Sequence, residues 1–144
     1  MLIKSALIPS LFFCFAASGF LFGQSPVGLW KTIDDETGEP KSHIKIYQEN
    51  DKLYGEVVKL LKTTKQKTCK KCPEPHTGKP IEGLRVMWDL KKDGDEWDDG
   101  EIMDPSNGKI YNCKIYLEEP NTLKVRGYIG FSAFGRTQEW KRVK

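Results

Sequence analysis

The feature that most constrains this chain recurs along most of its length: short runs of β-branched, aromatic or alternating residues, each ended by a cluster of Gly, Pro, Asn or Asp. On an extended backbone successive side chains point to opposite faces, so each run can bury one face and wet the other. In order the runs are Gly28 to Thr32, Ser42 to Glu49, Leu53 to Leu61, Gly83 to Leu90, Trp97 to Met103, Lys109 to Leu117, Thr122 to Ile129 and Arg136 to Val143. The pattern predicts eight strands. No internal repeat and no convincing amphipathic helix competes with it.

The segments between the runs are turn chemistry. Asp34-Asp35-Glu36-Thr37-Gly38, Asn50-Asp51-Lys52, Lys92-Asp93-Gly94-Asp95, Asp104-Pro105-Ser106-Asn107-Gly108 and Glu119-Pro120-Asn121 contain residues that preset φ, tolerate positive φ or bond their own backbone. Connections this short join antiparallel neighbours, since a parallel crossover needs a dozen residues or more. Only Lys62 to Pro80 is longer, and its composition suits a loop. Sequential antiparallel strands must hide their edges, and closure does so. The expected fold is therefore all-β: a single up-and-down antiparallel eight-stranded barrel, whose interior is filled or holds one small ligand.

Residues 1–23 read as something apart. One charge at Lys4 precedes an uncharged stretch from Ser5 to Phe22, and Gly23-Gln24 offers a small-residue boundary. This is the pattern of a cleavable signal peptide, which leaves residues 24–144 as the barrel domain. A retained anchor needs roughly 20 apolar residues, and Pro9, Ser10 and Ala16 to Gly19 interrupt this one. Cys14 follows bulky Phe13 and sits inside the apolar run, which argues against a lipoprotein. The expectation is export to the periplasm or beyond, with no membrane span after cleavage. The formal charge of the 144-residue chain is +3, and the leader removes only Lys4. A balance so near neutral does not suit nucleic acid, and no such partner is expected.

Gly28-Leu29-Trp30 and Trp140-Lys141-Arg142 resemble the first-strand and last-strand signatures of lipocalin-type barrels. More widely, the chain resembles the bacterial exported family known as domain of unknown function 2147. The resemblance rests on Gly28-x-Trp30, Leu53-Tyr54-Gly55, Cys69-x-x-Cys72, Gly83-Leu84, Trp97-x-x-Gly100-x-Ile102-x-Asp104-Pro105, Gly108-Lys109-x-Tyr111-x-Cys113, Val125-Arg126-Gly127-Tyr128 and Gly135-Arg136-Thr137-Gln138-x-Trp140-x-Arg142. It implies an envelope location and a lipocalin-like barrel, in which Trp30 packs under a basic side chain of the last strand, Arg142 first and Arg136 second. It carries no activity with it.

Alternation assigns inner faces. Tyr111, Cys113, Ile115 and Leu117 share one, as do Leu84, Val86, Trp88 and Leu90, and Leu123, Val125, Gly127 and Ile129. Leu84, Val86, Trp88, Leu123 and Val125 are thus candidates to line a cavity, although plain core packing gives the same pattern. Three cysteines follow the leader, Cys69, Cys72 and Cys113. In an oxidising compartment an odd count implies one disulfide and a spare thiol, and Cys69 or Cys72 is expected in it. With His76 the three could form a zinc site, but a single CxxC does not justify assigning a metal. Thioredoxin-like chemistry wants a helix N-terminus in a βαβ context, absent here.

No catalytic residue is assigned and no cofactor is expected. The histidines are His43 and His76 alone, and Gly130 to Gly135 is one residue too long for a nucleophile elbow. The acidic residues from Asp93 to Asp104 place Trp97 and Asp98 where a calcium loop wants an oxygen ligand and Gly, so they read as a solvated hairpin. In an eight-strand meander the longer connections share one end, the expected mouth. Lys62, Lys65, Lys67, Lys70, Lys71 and Lys79 lie there with Phe131 and Phe134, a mixture suited to an anionic amphiphile or equally to a soluble loop. The leading functional expectation is a binding module for a small apolar or amphiphilic ligand. An envelope hydrolase or isomerase working at the mouth, and a structural or protein-interaction module with a filled barrel, are the alternatives.

Overall fold

The computed structural model describes residues 24–61 and 64–144, so the expected leader lies outside the described residues. Eight strands follow one another: β1 (Gly28–Ile33), β2 (Pro40–Glu49), β3 (Lys52–Leu60), β4 (Arg85–Asp93), β5 (Glu96–Asp104), β6 (Lys109–Glu119), β7 (Thr122–Tyr128) and β8 (Gly135–Arg142). Each pairs with the next in antiparallel fashion, and β8 returns to β1 to close the barrel. The turn residues act as their chemistry requires. Asn50 and Asp51 at the β2–β3 hairpin both have positive φ, which short polar side chains tolerate. Asp34 and Asp104 each start a five-residue turn, accepting at the backbone carbonyl from Gly38 N–H and Gly108 N–H at 2.7 Å.

Closure between β8 and β1 is brief, pairing only Trp30 with Arg142 and Lys31 with Lys141. Side chains strengthen it. Trp30 is fully buried and its indole N–H donates to Pro26 O at 2.8 Å. The Arg142 guanidinium lies 4.3 Å from the centre of that indole and donates to Pro120 O, Val27 O and Ser25 O. One planar cation thereby joins the β6–β7 turn, the segment before β1 and the buried indole. Gly28 makes room for it, since a Cβ there would lie 2.6 Å from Nη1. Arg136 sits at the opposite end, where it pairs with Asp35.

Beyond Trp30 the closed end fills with Ile46, Leu53, Leu90, Ile115, Leu123 and Trp140, all buried. Strict alternation fails on β4. Gly55 faces Met87 and Glu56 faces Arg85, so Val86 is an extra residue, and a second irregularity before Leu90 coincides with Asp89 at φ 56°. Such bulges turn two consecutive side chains to one side. Val86 and Met87 are both buried, while Trp88 becomes half-buried and pairs with exposed Glu101. On β7 the alternation ends at Gly127, because Ile129 is 70% exposed in the following hairpin.

Candidate functional site

A cavity of about 390 Å³ opens at the end bearing the longer connections. Its wall begins at Ile44 and Val57, continues through Val86, Met103 and Val125, and ends on Trp140. Gly127 leaves part of the space open, for a Cβ there would only touch Tyr111 Cβ at 3.5 Å and Ile102 Cγ2 at 3.8 Å. The wall is apolar because these residues face inward from neighbouring paired strands of the closed barrel. Its polar groups are few and engaged. Thr32 and Ser42 share a hydroxyl hydrogen bond of 2.8 Å, the Trp140 indole donates to Gln138 Oε1 at 3.2 Å, and the Gln138 amide donates to Asp35 Oδ2 at 2.8 Å.

Polarity concentrates at the rim, where Asp34, Asp35, Glu36 and Asp104 meet Lys41 and Arg136. The Asp34 carboxylate accepts backbone N–H bonds from Thr37 and Glu36, which hold it below the ordinary carboxylate range. Asp104 accepts from Ser106 N–H and its hydroxyl. The ion pair of Arg136 with Asp35 links the start of β8 to the β1–β2 turn along the rim, over the seam between neighbouring β8 and β1.

Of the residues singled out by alternation, Val86 and Val125 meet in the cavity wall. Leu84 and Leu123 are buried in the core, and Trp88 lies outside the lining. Phe131 and Phe134 project into solvent from the β7–β8 hairpin, 78% and 74% exposed. The lysines at 65, 67, 70, 71 and 79 are exposed on the β3–β4 loop and outside the cavity lining, Lys65 adjoining Thr64 and Gln66 of the mouth, and Lys62 lies outside the described residues. Lining contributed by Ile44, Val57 and Trp140 follows the same period-two rule on β2, β3 and β8, where it could have been applied, whereas on β5 the buried residues Trp97, Gly100 and Met103 fall three apart across a register shift. The rim contacts between distant turns carry no such signal.

The β3–β4 loop forms the remaining shoulder of the mouth. Cys69 and Cys72 are joined in a disulfide, both buried, and among the described residues this leaves Cys113 as the free thiol, buried inside the barrel. The pairing takes two of the three thiols of the zinc alternative, and no cluster of metal-binding side chains occurs among the described residues. Gln66 donates to Pro105 O at 2.9 Å and thereby ties the loop to the β5–β6 turn. Burial, with Asp98 nearby, pushes the Cys113 thiol far up, so it is an inert core residue. Tyr128 is raised to about 12, first by desolvation and then by its bond to Asp98. Neither lies in the cavity wall, and His43 points away from it, between inward-facing Ser42 and Ile44.

Comparison with known proteins is consistent with this geometry. Residues 28–142 match the model of a family described as uncharacterized proteins conserved in bacteria (DUF2147). A solved structure, described as protein HP1028 from the human pathogen Helicobacter pylori, which belongs to the lipocalin family, superposes with a TM-score of 0.74 at 20% sequence identity. The match covers 83% of this chain and 84% of that one, a likeness of fold. No curated protein matches.

Proposed function

Since the chain belongs to the uncharacterised bacterial family DUF2147, with no activity attached to that membership, we propose from its own geometry that it is an exported envelope protein binding a small apolar or amphiphilic molecule. The observation that carries the reading is the cavity of about 390 Å³, apolar along its wall and polar at its rim. That volume falls in the range of small-molecule sites, roughly 300 to 1,000 Å³. An apolar body would shed water against Ile44, Val86, Val125 and Trp140, while a polar head would remain among the rim groups. Four carboxylates against two cations at the rim favour an uncharged hydrogen-bonding head over an anionic one. The hydrolase or isomerase alternative gains no comparable support, because the strongly shifted groups Cys113, Tyr128 and Glu139 lie outside the cavity.

Native mass spectrometry of protein purified from the envelope of an exporting host should reveal a retained small molecule. The neutral probe N-phenylnaphthylamine should bind after delipidation with a blue-shifted emission. Gly127→Leu extends a side chain into the open space without a backbone clash, so probe affinity should fall at least tenfold while thermal stability holds. Unchanged probe affinity in that variant would reject the cavity as the binding site. Export itself predicts a mature N-terminus near Gln24, and intact mass of envelope material that retains Phe12 to Phe22 would contradict it.

A further inference from the structure

The β7–β8 hairpin holds its apolar side chains in water by construction. Phe134 N–H donates to Phe131 O at 3.0 Å and closes the tip as a turn. From beneath, Arg126 Nε donates to Ser132 O at 2.8 Å while its Nη1 donates to the Thr137 hydroxyl. Gly130 at φ 72° and Gly135, where a Cβ would lie 2.6 Å from Gly127 O, permit this bend. Ile129, Phe131 and Phe134 therefore cannot settle into the core without breaking the turn, and each remains at least 70% exposed. Three large apolar side chains on one tip mark an interaction surface.

The charge around the barrel indicates what that surface meets. At the closed end the hairpins carry Asp51, Asp93, Asp95, Glu118 and Glu119 balanced by Lys52, Lys91, Lys92, Lys124 and Lys141. At the mouth end, Lys65, Lys67, Lys70, Lys71 and Lys79 of the β3–β4 loop are exposed, and none makes an ion pair among the described residues. Of the acidic groups at that end, Asp35 is engaged with Arg136, Asp34 and Asp104 with their own turns and Glu82 with Leu60 N–H, while Glu36, Glu39 and Glu74 are exposed. The mouth end thus bears these exposed lysines on the β3–β4 loop and, across the opening in the closed strand order, the apolar β7–β8 tip.

We propose that the mouth end docks on an anionic bilayer surface, with Ile129, Phe131 and Phe134 entering the interface and the β3–β4 lysines facing the headgroups. An apolar anchor combined with several lysines is the pairing that gives reversible interfacial attachment. The orientation brings the cavity opening to the bilayer, where an apolar ligand could pass without crossing water. Docking itself does not depend on the cavity being loaded.

The test is flotation of protein recovered from the envelope of an exporting host, with vesicles of phosphatidylcholine alone and with phosphatidylglycerol added. Amide exchange is followed at residues 129–134 in parallel. The expected result is binding that rises with phosphatidylglycerol, weakens with salt and protects those amides, and a loss of tenfold or more in Phe131→Ser/Phe134→Ser at unchanged thermal stability. Equal binding by the double variant, or equal binding to both vesicle types, would overturn the proposal. So would protection of residues 129–134 without vesicles accompanied by a dimer that the double variant abolishes, since the tip would then meet a second copy. The N-phenylnaphthylamine measurement is read separately, so failure of docking is distinguishable from failure of ligand binding.

Discussion

Trp30→Ala is expected to destabilise the barrel by about 3 to 5 kcal/mol, the usual cost of truncating a fully buried aromatic side chain. The change removes the buried indole area, its hydrogen bond to Pro26 and the face on which Arg142 rests. Arg142→Lys should cost about 1 to 2 kcal/mol. An ammonium can neither stack as a plane nor donate in a fixed fork to Pro120, Val27 and Ser25. Because the two side chains touch, the double variant should lose less than the sum, with a coupling of roughly 0.5 to 2 kcal/mol from the cation–π contact. Urea melts of the four proteins measure it. Additive losses would mean that the guanidinium acts through its carbonyl bonds alone, and that closure does not run through the indole.

How much of this was legible in the sequence depends on the range of the interaction responsible. Period-two alternation and turn chemistry are local, and they placed the eight strands to within a few residues and fixed their antiparallel order. They also brought Val86 and Val125 to an inner face, both in the cavity wall. Alternation failed at Trp88, because the bulges on β4 depend on Gly55 and Leu53 of the neighbouring strand. It failed at Ile129, because β7 ends one residue earlier than its β-branched composition suggests. Lys65, Lys67, Lys70, Lys71 and Lys79 are visible in the sequence as a cluster, but that they stay outside the cavity lining depends on how that loop folds back on the β5–β6 turn. The rim pair Asp35 and Arg136 joins residues from opposite ends of the chain, and only the closed barrel reveals it.

The docking of the long loop gives the second large expected effect. Gly38 and Gly108 end turns of the same form, each donating to the carbonyl of an aspartate four residues earlier, at φ 73° and 72°. They differ in surroundings. A Cβ on Gly38 would meet nothing within 4 Å, whereas one on Gly108 would overlap the backbone carbonyl of Lys71, inside the disulfide-bonded segment. Gly38→Ala should therefore cost only the left-handed backbone, about 1 to 2 kcal/mol. Gly108→Ala adds a collision that no side-chain rotation relieves, and about 3 kcal/mol or more is expected. The excess belongs to the contact between the Cys69–Cys72 segment and the β5–β6 turn. Its loss should also loosen the bond of Gln66 to Pro105, both of which line the mouth. Faster amide exchange across residues 64–81 in Gly108→Ala, with no such change in Gly38→Ala, is the expected signature in solution. Equal destabilisation and equal exchange in the two variants would show that the loop does not rest on this turn, and that the shoulder of the cavity is held elsewhere.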